Sequence, residues 1–265
     1  MTEMDSYEPG TPSWVDMATT DADGARAFYT GLFGWETEDM PAGELGTYTM
    51  CSLRGKPVAA FYEMDDAMRQ RGVPPMWLTY VNVADVEASA AKAKEAGGQL
   101  HADPFDVGES GRMALVQDPT GAMVALWEPR RHPGAGIVNE PGALIWNELA
   151  SNDPEAAASF YEALFGWTAK QDDGGGEPYT TFQLGESMIG GALPKEALAE
   201  GEPPHWTVYF SFSVEDCEKA VETAKALGAE VVFAPQDLGE VGRIAALKDP
   251  QGAAFSLLSV MTDGD

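Results

Sequence analysis

Basic residues are few in this sequence. Lys and Arg number 16 against 43 Asp and Glu, which gives a formal charge of -27. Such a surface repels nucleic-acid phosphates and anionic lipid headgroups, so we expect no nucleic-acid partner and no membrane partner. The same charge favours cationic or neutral small molecules, although an acidic surface also serves solubility alone.

Cysteines and long apolar runs are also scarce. The two cysteines, Cys51 and Cys217, lie in different halves and lack the CxxC spacing of a metal or redox site. No run approaches the ~18 apolar residues of a membrane span, and the N-terminal MTEMDSYEPG lacks the apolar core of a signal peptide. We therefore expect a cytoplasmic protein.

What the sequence does contain is a long internal repeat. FYTGLFGW at residues 28–35 returns as FYEALFGW at residues 160–167. Sliding the chain on itself by about 130 residues aligns almost its whole length, which indicates two homologous halves. Proline and glycine interrupt the pattern at RRHPGAGIVNEP, as in an interdomain linker. The predicted organisation is a first domain, a linker and a second domain, at residues 10–129, 130–141 and 142–260.

Each half also reads as two similar units. WVDMATT alternates as a strand does, Asp21 is suited to cap a helix, and ADGARAFYTGLFG has its apolar residues at helical spacing. Three short strand-like segments follow, and the same order begins again at MWLTYVNVA. DPTG and DPQG provide the last hairpin turn of each half. The predicted order is β-α-β-β-β, twice in each half.

The order of motifs in this sequence resembles that of the vicinal oxygen chelate superfamily. The motifs are an Asp seven residues before FY, then LFGW, AxxxGG (AKEAGG, with AKALGA at the same place in the second half), GR and DPxG. This superfamily includes glyoxalase I, extradiol dioxygenases and bleomycin-resistance proteins. The tandem form is most similar to an actinobacterial subgroup labelled glyoxalase-like or hydroxylase-like. The resemblance implies an α+β fold with two tandem glyoxalase-like domains, in which paired βαβββ units form a cupped mixed sheet.

The resemblance also implies a divalent metal on the concave face of the sheet, held by histidine and carboxylate. The family places His seven residues before the Asp that opens each helix and Glu seven residues after the Asp of DPxG. In this chain those positions hold residues that bind metals poorly: Trp14, Leu78, Trp146, Tyr209, Ala125 and Ser256. We therefore expect no metal and no other cofactor. A carboxylate-only Mg²⁺ or Ca²⁺ site using Asp16, Glu128 or Glu148 stays open.

Histidine is too scarce to supply other ligands. The chain has three: His101 in a predicted strand, His132 in the linker and His205 just before a strand. For each we expect a surface or locally hydrogen-bonded role, away from the cups.

Strand alternation predicts which side chains line each cup. If Trp14 faces the cup then Asp16 does too, and the repeat places Trp146 and Glu148 in the same way. Asp16 and Glu148 are the candidate catalytic residues. Burial raises the pKa of a carboxylate, which suits it to act as a general base. The alternative is that the tryptophans only fill space and that backbone or water satisfies the acids. The predicted ligand-binding residues are Trp14, Leu78, Tyr80, Asn82, Trp127, Trp146, Tyr209, Ser211 and Ser256.

These features support three hypotheses about function. The first is a metal-independent protein that binds an aromatic or cationic small molecule, in resistance, sequestration or secondary metabolism. The second is a tailoring enzyme (hydroxylase, hydratase, lyase or isomerase) or a glyoxalase, acting on a polyketide-like or dicarbonyl substrate with Asp16 or Glu148 as base. In the third, both cups are vestigial. The loops at residues 63–75 and 172–178 are candidate lids, and the paired halves predict a monomer.

Overall fold

Two eight-stranded sheets, one in each half, form the protein. The structure is a computed structural model that describes residues 3–43, 46–172, 178–213, 216–239 and 242–260. Most of the candidate lid at residues 172–178 lies outside these residues. No described helix is long and apolar enough to cross a membrane.

The first half contains two successive βαβββ units. The first unit comprises β1 (Pro12–Thr19), α1 (Ala22–Phe33), β2 (Glu36–Pro41), β3 (Thr47–Leu53) and β4 (Lys56–Glu63). A short helix, α2 (Asp66–Gln70), lies in the loop to the second unit, where Arg69 donates to the carbonyl of Thr20 at 3.0 Å. The second unit comprises β5 (Met76–Asn82), α3 (Val86–Glu95), β6 (Gln99–Val107), β7 (Gly111–Gln117) and β8 (Met123–Pro129).

The second half repeats this order. Its first unit comprises β9 (Leu144–Ala150), α4 (Pro154–Phe165), β10 (Thr168–Asp172), β11 (Tyr179–Leu184) and β12 (Ser187–Ala192). A 3₁₀ turn at Lys195–Ala197 follows. The last unit comprises β13 (His205–Ser211), α5 (Cys217–Ala226), β14 (Glu230–Asp237), β15 (Gly242–Lys248) and β16 (Ala254–Val260).

Both sheets have the same topology. The strand orders are β2-β3-β4-β1-β5-β8-β7-β6 and β10-β11-β12-β9-β13-β16-β15-β14. In the first sheet β1 pairs antiparallel with β5, while β4 and β8 join them in parallel. Both units of a sheet come from the same half, so each cup forms within one half. The predicted α+β fold of paired βαβββ units in mixed sheets is confirmed.

Local sequence explains where α1 and α4, the first helix of each half, begin and end. The side chain of Asp21 accepts from the amide of Gly24 at 2.9 Å, which caps the start of α1. The helix stops at Gly34, whose φ of 70° is readily adopted by glycine. Asp153 and Gly166 have the same two roles at α4.

The helix-covered faces of the two sheets pack against each other and form the core. Val15 and Met17 of β1 are fully buried there together with Phe210 of β13 and Phe255 of β16. A second core cluster joins α3 and β8 to α4 and β12. Because side chains alternate along a strand, Trp14 of β1 points to the opposite face. The face that carries Trp14 and the face that carries its counterpart Trp146 therefore lie on opposite outer sides of the protein.

Candidate functional site

In each sheet three neighbouring strands carry one row of residues across the face away from the helices, which is the face called the cup. These strands are β1, β5 and β8 in the first sheet and β9, β13 and β16 in the second. In the first sheet Trp14 lies opposite Tyr80, and Tyr80 lies opposite Ala125. In the second sheet Trp146, Tyr209 and Ser256 occupy the corresponding places. The structure thus brings these six residues together in two corresponding rows.

Leu78 and Tyr209 each lie seven residues before the Asp that opens a helix, but they are not counterparts in the two sheets. Leu78 lies opposite Asp16, and it is Thr207 that lies opposite Glu148 in the second sheet. Tyr80 is the counterpart of Tyr209. This offset of two residues between the halves leaves each residue on the same face, because a shift of two residues preserves the side-chain direction in a strand.

Asp16 is the buried acid of the first cup, with 3% of its surface exposed. Its Oδ2 accepts a hydrogen bond from Tyr80 Oη at 2.7 Å and another from Tyr48 Oη at 3.0 Å. Trp14 Nε1 in turn donates to Tyr48 Oη at 3.0 Å. The indole thus fixes a tyrosine that fixes the carboxylate.

Burial raises the pKa of Asp16 to about 6, and the hydrogen bonds from Tyr80 and Tyr48 limit the rise. Asp16 Oδ1 is buried and has no hydrogen-bond partner among the described residues. The pKa values of Tyr48 and Tyr80 are raised by burial and by the nearby Asp16 charge, so both hydroxyls stay protonated. Near neutral pH, Asp16 can therefore accept a proton while both tyrosines donate hydrogen bonds.

The second cup has the same arrangement with glutamate in place of aspartate. Tyr179 Oη donates to Glu148 Oε1 at 2.9 Å, and Tyr209 Oη donates to Oε2. Trp146 Nε1 donates to Tyr179 Oη at 2.8 Å. Burial raises the pKa of Glu148 as well. Here each carboxylate oxygen accepts a hydrogen bond from one tyrosine. In the first cup both tyrosines donate to the same oxygen, Asp16 Oδ2.

The longer acid of the second cup, Glu148, is accompanied by a glycine on the neighbouring strand β12, where the first sheet has an alanine on β4. Gly191 lies opposite Glu148, and Ala60 lies opposite Asp16. A Cβ atom at Gly191 would overlap the hydroxyl of Tyr179. Tyr179 therefore reaches Glu148 by crossing a residue that has no side chain.

Sequence reasoning missed Tyr48 and Tyr179. Both lie on the third strand of their unit, beyond the positions that the metal-ligand pattern marks. The signal that would have found them is the repeat itself, since TYTMCSL and PYTTFQL carry the tyrosine at the same place.

Three other predicted residues are buried on the cup side and form hydrogen bonds with the backbone of neighbouring segments: Asn82, Ser211 and Trp127. Asn82 Nδ2 donates to the carbonyl of Tyr7 at 2.5 Å, and Trp127 Nε1 donates to that of His132 at 2.9 Å. Ser211 exchanges backbone hydrogen bonds with residues 142 and 143. These residues thus hold segments that approach the rims of the sheets.

The expectation that His132 stays away from the cups is wrong. Its ring lies edge-on against Trp14, with ring centroids 4.4 Å apart, and burial lowers its pKa to about 4. The segment after β8 folds back over the first sheet, which local sequence does not specify. The other two histidines make local hydrogen bonds as expected, His101 with Gln117 and His205 with the carbonyl of Pro203.

The residues of the central rows do not fit a divalent metal. Indole, alanine methyl, serine hydroxyl and protonated phenol are poor or weak ligands, and the strands that form each row carry one carboxylate on the cup side, Asp16 or Glu148. The carboxylate-only site is not assembled either, because Asp16 and Glu148 lie in separate cups. Glu128 lies on the helix side, where it accepts from the amide of Val86 at 2.9 Å.

Glu128 does join Asp85 and Glu87 in a group whose carboxylate oxygens lie within 4.8 Å of one another. Arg112 neutralises this group in part, because it pairs with Glu87 at 2.5 Å. A cleft of about 450 Å³ between α1 and the edge of the first sheet is lined by Arg26, Thr49 and several acids. Thr49 points away from Tyr48, so this cleft is separate from the cup.

Two repeated domains with this topology match one known family. The profile of the Glyoxalase/Bleomycin resistance protein/Dioxygenase superfamily matches residues 11–126 and 143–257. The chain belongs to this superfamily. "Putative glyoxylase CFP32" of Mycobacterium tuberculosis is 44% identical over 260 residues, covering 97% of this chain and 98% of that protein. "Anthracycline biosynthesis protein DnrV" of Streptomyces peucetius is 33% identical over 267 residues, covering 97% and 96%.

Several solved structures share this fold at low sequence identity. The Mn(II)-bound glyoxalase from Novosphingobium aromaticivorans has a TM-score of 0.66 at 16% identity, covering 95% of this chain and 82% of that one. The 2,3-dioxygenase LapB from Pseudomonas sp. KL28 has a TM-score of 0.66 at 14% identity, covering 95% and 92%. These likenesses show the fold and leave the chemistry to the cup residues of this chain.

Proposed function

We propose that this superfamily member binds a small aromatic or cationic molecule in a concave cup without using a metal ion. The observation that carries the proposal is the set of tryptophan, tyrosine, carboxylate and second tyrosine, which recurs in both halves on the face where the family holds its metal. We further propose that the protein acts as a cytoplasmic monomer, since each sheet is complete within one chain and both cysteines are free and buried.

The cup chemistry suits a planar ligand with a hydrogen-bond donor or a positive charge. An indole face stabilises a stacked ring or cation by about 1 kcal/mol or more. The carboxylate accepts a hydrogen bond from a ligand hydroxyl or amine, and the tyrosines hold that carboxylate in place. The name of the Streptomyces peucetius relative refers to anthracycline biosynthesis, which supports an aromatic ligand of polyketide type.

Binding can be tested with 1,4-dihydroxyanthraquinone and with the planar cation acriflavine, followed by calorimetry and tryptophan fluorescence. We expect binding that weakens at least about tenfold when Trp14→Phe and Trp146→Phe are combined, because both stacking faces are reduced. Trp35→Phe is the control, since Trp35 lies in the core between the sheets. Failure of both compounds to bind, or unchanged affinity in the combined variant, would contradict the proposal.

A second candidate function, catalysis as a tailoring enzyme or glyoxalase, is favoured by the raised pKa values of Asp16 and Glu148. A carboxylate with a pKa near 6 is suited to remove a proton from a carbon or hydroxyl group at neutral pH. The test is turnover of 1,4-dihydroxyanthraquinone or of a methylglyoxal hemithioacetal. Loss of turnover in Glu148→Gln or Asp16→Asn with ligand affinity retained would establish catalysis, and absence of any turnover leaves binding as the function.

A further inference from the structure

We propose that the cup of the second half is the ligand-receiving site and that the chain itself closes the cup of the first half. This inference rests on the proposed function and adds to it the choice of cup. The closing segment is His132 to Val138, which follows β8 and folds back over β1 and β4.

Hydrogen bonds tie the closing segment to the first sheet. Trp127 Nε1 donates to the carbonyl of His132 at 2.9 Å, at the start of the segment. The amide of Ala135 donates to the carbonyl of Ser13 at 2.8 Å. Tyr7 Oη donates to the carbonyl of Ala135 at 2.6 Å, so the N-terminal segment holds the same point from the other side.

Apolar packing adds to these hydrogen bonds. Ala135 is fully buried in one cluster with Trp14, Tyr80 and Trp127, and Val138 packs against that cluster. A side chain at Gly134 would overlap the backbone of Ser13, so the segment lies against β1 as closely as a backbone can. The indole that would stack on a ligand is therefore already covered by the chain.

The second cup keeps its indole accessible. Trp146 is only half-buried, whereas Trp14 is 2% exposed; the partner tyrosines, Tyr179 and Tyr48, are half-buried in both cups. Trp14 packs against the ring of His132, but within the described part of the chain Trp146 makes no ring contact. All six other tryptophans are buried, which makes Trp146 distinct in the whole protein.

The carboxylate of the second cup is also held by a hydrogen bond on each of its two oxygens. Glu148 receives Tyr179 on one oxygen and Tyr209 on the other, so the orientation of its carboxylate is fixed from both sides. Each carboxylate oxygen has a further lone pair for a ligand donor. The site therefore fits a planar aromatic molecule that stacks on Trp146 and directs a hydroxyl or amino group at Glu148.

The openness of the two cups can be tested without any ligand, by acrylamide quenching of tryptophan fluorescence. We expect a quenchable component in the unmodified protein that Trp146→Phe abolishes and Trp14→Phe retains. Loosening the closing segment with His132→Gly should add a second quenchable component, which Trp14→Phe should remove. Quenching of Trp14 in the unmodified protein, or no gain in His132→Gly, would overturn the inference.

The choice of cup is then tested by calorimetry with 1,4-dihydroxyanthraquinone. We expect one bound molecule per chain and an affinity that Glu148→Gln lowers at least about tenfold more than Asp16→Asn does. Glu186→Gln, an exposed acid in the turn between β11 and β12, is the matched control for loss of one charge. A larger effect of Asp16→Asn would overturn the inference. If the compound does not bind, the proposed function fails for this ligand, while quenching still decides which cup is open.

Discussion

Tyr29 of the first half donates a hydrogen bond to Asp249 of the second half, with 3.0 Å between Oη and Oδ2. The repeat forms the same bond in the opposite sense, from Tyr161 to Asp118 at 2.9 Å. Each tyrosine belongs to the repeated octapeptide, and each acid belongs to a DPxG turn of the other half. Two sequence motifs that recur in each half thus bind each other across the core.

Removing these tyrosine hydroxyls is expected to destabilise the junction. Tyr29 Oη also accepts from Trp77 Nε1 at 3.1 Å, so Tyr29→Phe leaves both the indole and the Asp249 oxygen short of a partner. Buried groups left unpaired cost about 1–3 kcal/mol. We expect Tyr29→Phe and Tyr161→Phe each to lower the free energy of unfolding by about 2 kcal/mol in urea.

The control for this prediction is Tyr62→Phe. Tyr62 stacks near Tyr48, and its hydroxyl makes no hydrogen bond within the described residues. We expect a change below about 0.5 kcal/mol for this variant. Equal effects of Tyr62→Phe and Tyr29→Phe would show that the bonds across the core contribute little.

Asp16 is expected to make stability depend on pH. Its pKa is 3.8 without burial and about 6 in the folded protein, so the folded state binds the proton more tightly. The resulting stabilisation is present below about pH 4 and is lost as the pH rises to about 6. A shift of this size corresponds to about 3 kcal/mol.

Asp16→Asn should therefore stabilise the protein relative to the unmodified chain more at pH 8 than at pH 4. The amide keeps an oxygen that accepts from Tyr48 and Tyr80 but carries no charge at any pH. Thermal or urea unfolding across this range measures the difference, with exposed Asp103→Asn as the control. A difference that is the same at both pH values would show that Asp16 titrates normally.

Gly191 is expected to be necessary for the position of Tyr179. A Cβ atom there overlaps the Tyr179 hydroxyl, so Gly191→Ala must push the ring away from Glu148. Overpacking of this kind costs about 1–3 kcal/mol. The check is a double-mutant cycle in which Gly191→Ala costs clearly less when Tyr179→Ala is also present. Equal costs in the two backgrounds would place the strain elsewhere.

Ligand binding is expected to survive removal of metal ions. The central rows contain neither carboxylate nor histidine, and the strands that carry them supply one cup carboxylate each, Asp16 or Glu148, which is too few ligands for a tightly held divalent ion. Dialysis against EDTA should leave the affinity for 1,4-dihydroxyanthraquinone and the melting temperature unchanged. A stoichiometric metal found by elemental analysis, lost together with binding and restored with it, would contradict this expectation.

The repeat made the fold and much of the site predictable. It set the register of the strands, and alternation along β1 and β9 placed Trp14 with Asp16 and Trp146 with Glu148 on one face. Helix caps at Asp21 and Asp153 were readable because a cap needs only a few neighbouring residues. The same register contained Tyr48 and Tyr179, which were missed because the metal-ligand pattern marks only the first strand of each unit and the last strand of each half.

By itself the sequence determined the order of elements, the face on which each strand residue lies and the residue types at the positions where the resemblance implies metal ligands. These properties depend on spacing along the chain, and a period of two or 3.6 residues survives any later packing. Only the tertiary structure decided that Tyr29 meets Asp249, that two tyrosines share Asp16 and that His132 covers Trp14. Those contacts join residues from 32 to 220 positions apart, and close packing of the whole molecule, which no local pattern encodes, selects them.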